Sequence, residues 1–263
     1  MKHVELVKVE HNVKIGDVCE YIEPNVTEDT LFTDNGEVIG FFIRDISKYD
    51  EQLSKLVAVA NNELLSPRVP KSTMKRSSGL HDKSAEVLQY STIIGSVPPK
   101  PHMRRPYPTI SSVHNKKSAD TYIKAMMMAC YRSEELIKAL APNIFDRQLE
   151  LFKSVPQKWK LGRLFTSSIA NYNIPAPFHI DHANIKGCVN VIICKRKDSK
   201  GGCTTVPDYA ATMDSCDNSM LVYPAWRNIH GVTPIIPLSA NGYRNTLVFY
   251  PLKAFLNTEI CAE

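Results

Sequence analysis

The second half of the chain constrains the fold most, because from Leu161 onward short apolar runs alternate with turn residues. Runs at 188–194, 219–224 and 243–250 are bounded by Pro, Gly, Asn or Asp. Short apolar segments at this spacing are typical of an all-β sandwich or jelly roll. The sequence therefore predicts a β-sheet core over residues 159–255.

The first half follows a different pattern. Short apolar alternations near its start predict strands with an Asn35-Gly36 turn between them. Apolar residues then recur at helical spacing over 48–65 and 118–154, with Pro67 and Pro142 as interruptions. We predict an α+β protein of one domain, 1–263, in which residues 1–158 are a helical or mixed support and the helices cover the outer face of the larger sheet.

Positive charge is concentrated in one segment of this half. Residues 66–117 contain ten Lys or Arg against two acidic residues, a balance of +8, whereas the whole chain carries only +5. Such a concentration is expected of a protein that binds a phosphate backbone. A solvated basic loop is the alternative. The same segment is rich in Ser and Pro, so it is either ordered around a ligand or mobile.

Composition limits the cellular context. The apolar fraction of 43% suffices for a core, and the seven Cys are scattered without a C-x-x-C pair. We therefore predict neither a disulfide framework nor a zinc site. No signal peptide and no apolar run of membrane-spanning length is apparent, so we predict a cytoplasmic or host-cell intracellular protein without an obligate protein partner.

One spacing within the predicted core has the form of a metal site. His179 and Asp181 form a His-x-Asp pair, and His230 follows about fifty residues later. Residues i and i+2 of a strand point to one face, so the pair can reach one metal from one strand. Two His and one carboxylate form the facial triad that binds Fe(II) and leaves positions open. His182 is a competing ligand, which we assign to indirect support or substrate contact because it faces the other side of a regular strand.

Arg244 begins the apolar run that follows His230, fourteen residues further on. Its planar guanidinium offers two parallel donors to a carboxylate. Thr246 faces the same way two residues later and adds a hydroxyl donor. This ordered set is more specific than the His-x-Asp pair alone.

With their flanks, these residues resemble the TET/JBP family of Fe(II)/2-oxoglutarate dioxygenases, which oxidise the 5-methyl group of thymine or 5-methylcytosine in DNA. The resemblance spans roughly residues 160–252 and is faint over the first 150. It includes 165–173 with Asn171-x-Asn173, His179-x-Asp181, Lys186-Gly187, Gly201-Gly202, 206–209, the His230-Gly-x-Thr-Pro234 segment and Arg244.

The resemblance implies a double-stranded β-helix of the jelly-roll, cupin-like kind, with Fe(II), 2-oxoglutarate and O2 as cofactors and DNA as substrate. It implies that Arg244 binds the far carboxylate of 2-oxoglutarate, and that the third residue after the metal aspartate, Asn184, reads the flipped base. An Asx-turn is an equally good interpretation of Asn184. The resemblance also implies that Asn171 and Asn173 face either the cosubstrate or the base, and that an Arg from outside the barrel enters the site. The candidates for that Arg are Arg76, Arg104 and Arg105.

Three interpretations of the function remain open. The first is a hydroxylase of 5-methylcytosine or thymine in DNA, acting on a flipped base. The second keeps the iron chemistry but acts on a protein side chain or a small molecule. The third is a cupin-like binding protein whose triad is accidental. The intact triad with Arg244 disfavours the third, and the basic segment with Asn184 disfavours the second.

Overall fold

Two β-sheets face each other in the computed structural model, and helices cover the outer side of the larger sheet. The structure describes residues 1–78, 83–100, 102 and 105–256, and of Ser84 and Ala85 it describes the backbone only. Sixteen strands and three α-helices lie within these residues. The predicted α+β class with a double-stranded β-helix core is confirmed at the level of the fold.

The larger sheet runs through both halves of the chain. Its order is β1-β2-β3-β13-β9-β16-β7-β5-β4, with β6 paired to β5, and all pairs are antiparallel except β1 with β2. The strands are β1 (Lys2–Glu5), β2 (Thr30–Asp34), β3 (Glu37–Ile43), β4 (Ser72–Met74), β5 (Gln89–Val97), β6 (Thr109–Ile110), β7 (Ser167–Tyr172), β9 (Asn190–Lys197), β13 (Met220–Tyr223) and β16 (Tyr243–Tyr250).

The smaller sheet holds four antiparallel strands in the order β12-β11-β14-β8, and β10 pairs with β15 separately. Their bounds are β8 (Ala176–His179), β10 (Ser199–Gly201), β11 (Thr204–Val206), β12 (Ala211–Met213), β14 (His230–Val232) and β15 (Ile235–Pro237). Phe32 and Leu221 of the larger sheet pack against Val206 and Met213 of the smaller one. This contact closes one end of the space between the sheets.

Three helices cover the other face of the larger sheet, as predicted. They are α1 (Glu51–Leu65), α2 (Asp120–Leu140) and α3 (Pro142–Leu151). Their apolar faces share one cluster with strand residues such as Phe41, Val191 and Phe249, all fully buried. Burying an apolar side chain of this size stabilises the fold by about 1.5–3 kcal/mol, so this cluster fastens the helices to the sheet.

The Asn35-Gly36 turn is where the sequence places it, between β2 and β3. Both residues have positive φ, 52° and 76°, as a two-residue hairpin turn of this kind requires. Asn tolerates this conformation and Gly has no Cβ to oppose it.

The basic segment 66–117 is more regular than its composition indicates. It contains β5, which lies between β7 and β4, and it carries β4 and β6 at the sheet edge. Within the described part of the chain, no helix combines the length and apolar character needed to cross a membrane.

Candidate metal centre

His179 and His230 come together because the strands that carry them are neighbours. His179 ends β8, His230 begins β14, and the two residues are partners in the antiparallel register. Their ring centroids lie 4.3 Å apart. The pairing therefore places the two imidazoles on one side of the smaller sheet.

Each imidazole has one ring nitrogen committed to the backbone. His179 Nδ1 lies 2.8 Å from the carbonyl oxygen of Pro177, and His230 Nδ1 lies 3.0 Å from that of Asn228. A carbonyl oxygen only accepts hydrogen bonds, so Nδ1 carries the proton in both rings. The lone pair is left on Nε2, which is the state of a metal-binding histidine.

Asp181 completes the triad from just beyond the strand. β8 ends at His179, so the prediction that one regular strand carries both residues was wrong in its last step. The backbone N–H of Asp181 donates instead to the carbonyl of Ala225, at 3.1 Å, and this bond extends the pairing past the strand end. Asp181 Oδ1 lies 3.6 Å from His179 Nε2.

One ligand atom from each of His179, Asp181 and His230 lies within 4.8 Å of the others. His230 is buried, whereas the side chains of His179 and Asp181 are 38% and 33% exposed, so the site opens to one side. Burial lowers the pKa of His230 to about 4. His230 is therefore neutral near pH 7. Imidazole nitrogens together with one carboxylate suit Fe(II).

A buried cation lies deeper in the same space. Arg244 of β16 is 3% exposed, and its Nε has no hydrogen-bond partner. Among the described residues no carboxylate forms an ion pair with it. Burial lowers the pKa of Arg244, because desolvation disfavours its charged form. A buried charge without a counter-charge costs several kcal/mol, so this position is suited to an anionic ligand.

Gly202 leaves the space that the side chain of Arg244 occupies. A Cβ at position 202 would lie 3.1 Å from both Cδ and Nε of Arg244, and the φ of Gly202 is +64°. Both the space and the backbone conformation thus require glycine here. Gly201 and Gly202 connect β10 to β11 and form no hairpin, since those strands pair with β15 and with β12 and β14.

A single cleft of about 550 Å³ connects these groups. It lies between the two sheets, and Ile169, Ile192 and Val248 of the larger sheet form its apolar wall. Thr246 and Asn171 are register partners on β16 and β7 and both line it. Nine of the sequence-predicted site residues line this cleft: Arg76, Asn171, His179, Asp181, His182, Asn184, His230, Arg244 and Thr246.

Two predicted substrate contacts, Asn173 and Arg105, do not line this cleft. Asn173 is buried outside the cleft lining, with its side-chain oxygen accepting from the backbone N–H of Arg244 at 2.9 Å. Arg105 donates to the carbonyl of Pro98 at 2.5 Å and lines a separate groove. Arg104 lies outside the described residues. Their contact with substrate stays a prediction.

Arg76 is the candidate from outside the barrel that borders the cleft. It follows β4, and the side chain of Gln89 holds its backbone through two hydrogen bonds, 2.8 Å to the N–H and 2.5 Å from the carbonyl. This clamp fixes the chain at the cleft wall while the Arg76 side chain stays exposed.

Sequence reasoning missed three residues that surround Asp181. Tyr223 and Tyr250 line the cleft, and burial together with the Asp181 charge raises the pKa of each phenol. Asn190 donates from Nδ2 to Asp181 Oδ2 at 2.9 Å. A signal for Asn190 was present, because it is a polar residue inside the apolar run 188–194.

No protein-family model matches this sequence, and no curated protein does. Among solved structures, the chain is similar to NgTET1 in complex with 5mC DNA, with a TM-score of 0.57 and 12% identity over 95% of this chain and 85% of that one. An oxidoreductase of the 2OG-Fe(II) oxygenase family from Burkholderia pseudomallei follows at a TM-score of 0.47 and 12% identity, covering 84% of this chain and 88% of that one. OsALKBH1 has a TM-score of 0.43 and 15% identity, over 81% of this chain and 96% of that one.

The first of these similarities establishes the fold. The chain shares the double-stranded β-helix fold of that structure, and its His-Asp-His cluster lies in the cleft between the two sheets.

Proposed function

We propose that this protein is an Fe(II)- and 2-oxoglutarate-dependent dioxygenase that oxidises the 5-methyl group of 5-methylcytosine in DNA, with thymine as the alternative base. The observation that carries the proposal is that an open His-Asp-His triad and the buried Arg244, whose Nε has no hydrogen-bond partner, line the same cleft. A metal site and an anion site that share a cavity are what a chelating dicarboxylate requires.

The residues of the chain supply binding and orientation. His179, Asp181 and His230 hold the metal, and Arg244 binds the distal carboxylate of 2-oxoglutarate through its guanidinium. Thr246 donates its hydroxyl to the same carboxylate. Bound Fe(II) with 2-oxoglutarate supplies the activation of O2 and the oxidation of an unactivated methyl group.

The size of the cleft supports a second occupant. At about 550 Å³ it falls within the range of small-molecule sites and has room for a cosubstrate and part of a base. A methyl group inside a duplex is out of reach, so the target nucleotide is flipped out of the helix. We assign contact with the flipped base to His182 and Arg76, because both line the cleft and are exposed.

Two features favour DNA as the substrate. The segment 66–117 carries an excess of +8 and leads to the cleft through Arg76. The chain is also similar in fold, over 95% of its length, to a structure that contains 5mC DNA. Clustered positive charge offsets part of the unstacking cost by gripping the phosphates.

The test is a reaction with two matched duplexes. The Fe(II)-loaded protein receives 2-oxoglutarate, O2 and a duplex with 5-methylcytosine or one with only unmodified bases, and the digested nucleosides are measured by mass spectrometry. We expect 5-hydroxymethylcytosine from the first duplex. 5-Hydroxymethyluracil from either would assign thymine, and succinate without a modified base would exclude DNA as the substrate. The His179→Ala variant is the control and should form neither.

A further inference from the structure

The two oxygens of the Asp181 carboxylate have different surroundings. Oδ1 faces the histidines, 3.6 Å from His179 Nε2. Oδ2 faces away and accepts a hydrogen bond of 2.9 Å from Asn190 Nδ2, with Asn184 Nδ2 at 3.4 Å. One oxygen is therefore left for a metal, and the other is already occupied.

The direction of this hydrogen-bond chain follows from chemistry. A carboxylate only accepts, so the Asn190 atom that faces Asp181 is its NH2 group, and its Oδ1 faces the other way. That oxygen accepts from Asn184 Nδ2 at 2.8 Å. Asn184 must present its own NH2 group there, so the three side chains have only one consistent arrangement.

Burial makes the arrangement rigid. Asn190 and Asn184 are 3% and 4% exposed. Asn190 begins β9 in the larger sheet, where it pairs with Tyr223 of β13. It is thus held by the sheet opposite the one that supplies the histidines.

We propose that Asn190 is a positioning residue for the metal: it holds Oδ2 of Asp181 so that the carboxylate binds through Oδ1 alone, and Asn184 orients Asn190. This inference rests on the proposed function and assigns Asn184 to the support of the metal rather than to the base. A carboxylate bound through both oxygens would fill a position that 2-oxoglutarate or O2 needs. Holding one oxygen keeps three positions of an octahedral metal open.

The loop itself does not need these side-chain bonds. The backbone N–H of Asn184 already closes the turn onto the Asp181 carbonyl at 3.0 Å. Further along, Ile185 donates to Pro251 at 2.9 Å, and Lys253 donates to Ala183 at the same distance. The backbone thus fixes the loop, and the side-chain amides of Asn184 and Asn190 are free to orient the Asp181 carboxylate.

The experiment is a titration of the metal-free protein with Co(II), which requires neither DNA nor turnover. Asn190→Leu keeps the number and branching of the side-chain heavy atoms and removes the donor. We expect its dissociation constant for Co(II) to rise about 10–100-fold, the usual effect of removing a group that orients a metal ligand. The visible absorption bands of bound Co(II) should also change, because the carboxylate is freed to bind through both oxygens.

Asn61→Leu is the matched control. Asn61 of α1 is also 3% exposed and also makes two side-chain bonds, with Tyr243 and Asn245, on the helical face of the larger sheet. This variant should lower the melting temperature, leaving the Co(II) affinity and spectrum unchanged. Asn184→Ala should raise the dissociation constant for Co(II) at least about threefold. The rise should be smaller than in Asn190→Leu, because Asn190 keeps its direct hydrogen bond to Asp181.

An unchanged Co(II) affinity and spectrum in folded Asn190→Leu would overturn the inference. If that variant does not fold, unchanged Co(II) binding in Asn184→Ala would overturn it equally. A loss of DNA oxidation in Asn184→Ala with normal Co(II) binding would return Asn184 to the base. If wild-type protein binds Co(II) and oxidises no DNA, the proposed substrate fails while the positioning role stands.

Discussion

At the scale of single residues, the candidate site depends on polar groups that are already oriented toward the cleft before any ligand is bound. Within the part of the chain that the structure describes, Arg244 has no ion-pair partner, and both His179 and His230 direct Nδ1 to a backbone carbonyl and leave Nε2 to the cleft. A buried charge without a counter-charge is costly in a site without function. Together these groups define what a ligand must bring: a cation for the imidazoles and a carboxylate for the guanidinium.

Replacing Arg244 should weaken the binding of 2-oxoglutarate. Arg244→Ala removes hydrogen bonds to a charged group, each contributing about 1.5–3 kcal/mol, so we expect at least a 10- to 100-fold rise in the dissociation constant. Arg244→Lys keeps the positive charge and loses the two parallel guanidinium donors, so its dissociation constant for 2-oxoglutarate should rise less than that of Arg244→Ala. Calorimetry on the Mn(II)-loaded protein measures both. Equal affinity in all three proteins would show that the carboxylate binds elsewhere.

Gly202→Ala should affect the same binding without touching the ligand. The new Cβ would lie 2.9 Å from Ile235 Cγ1 and 3.1 Å from Arg244 Cδ and Nε, in a backbone conformation that costs a non-glycine residue roughly 1–2 kcal/mol. We expect a weaker 2-oxoglutarate affinity and a small loss of stability. Gly36→Ala is the control, because it shares the positive φ and has open space around its Cβ. Gly36→Ala should lose stability but keep the wild-type affinity for 2-oxoglutarate.

At the scale of elements, strand pairing brings the site together. The register of β8 with β14 pairs the two histidines, and β9 of the other sheet brings Asn190 to Asp181. Helices α1 and α2 contribute no residue to the cleft lining. Their role is to keep the larger sheet in place from behind.

Asp50 offers a test of that role. It caps α1 by accepting from the N–H of Leu53 at 2.9 Å and also pairs with Arg132 of α2 at 2.7 Å. Asp50→Ala removes both interactions and should lower the free energy of unfolding by about 1–2 kcal/mol from the cap alone. Asp50→Asn keeps a capping oxygen and should be destabilised less. Urea unfolding measures the difference, and equal stability of the three proteins would contradict it.

The stability contributed by Asp50 should also depend on pH. Burial by itself would raise its pKa, but hydrogen bonds from Arg132 and from backbone N–H groups outweigh that effect and lower it. A lowered carboxyl pKa contributes stability above the unfolded value, about 3.9, that is lost as pH falls through the folded value. The wild-type advantage over Asp50→Asn should therefore be constant near neutrality and shrink below about pH 4. An advantage that persists at pH 2 would exclude the ion pair as its source.

The sequence predicted the elements whose pattern is local. The apolar runs that become β9, β13 and β16 are bounded by turn residues, and the Asn35-Gly36 hairpin has its own turn chemistry. Strand β5 was missed because Ser91 and Thr92 are buried by neighbouring strands that the sequence does not show.

The same limit applied to the site. The spacing of His179, Asp181 and His230 could be recognised because β8, the two residues that follow it and the return strand β14 bring them together. The hydrogen bond of Asn190 to Asp181 joins elements of opposite sheets, so it depends on how the sheets pack. No spacing along the chain encodes that distance.

At the scale of the whole molecule, the cleft opens next to the basic segment. Arg76 connects the two, since it lies in 66–117 and lines the cleft. Exposed Lys75 and Lys100 belong to the same segment. A DNA strand held by these charges would present a flipped base to the triad.

DNA binding should accordingly be sensitive to salt, and the sensitivity should depend on this segment. Lys75→Ala with Lys100→Ala should reduce the slope of log affinity against log salt by about 2, roughly 1 for each phosphate that the protein no longer neutralises. Lys124→Ala, an exposed change on α2, should leave the slope as it is. Fluorescence anisotropy with a labelled duplex measures all three. A slope that responds equally to every lysine would indicate no preferred DNA surface.

The most direct test of the central claim follows the oxygen atoms. Wild-type protein with Fe(II), 2-oxoglutarate and a 5-methylcytosine duplex is incubated under ¹⁸O2, with Asp181→Ala as the control. A dioxygenase of this class places one labelled atom in succinate and one in the oxidised nucleoside, and we predict both labels in wild type and neither in the variant. Unlabelled products, or no succinate from wild-type protein, would contradict the assignment of this cleft.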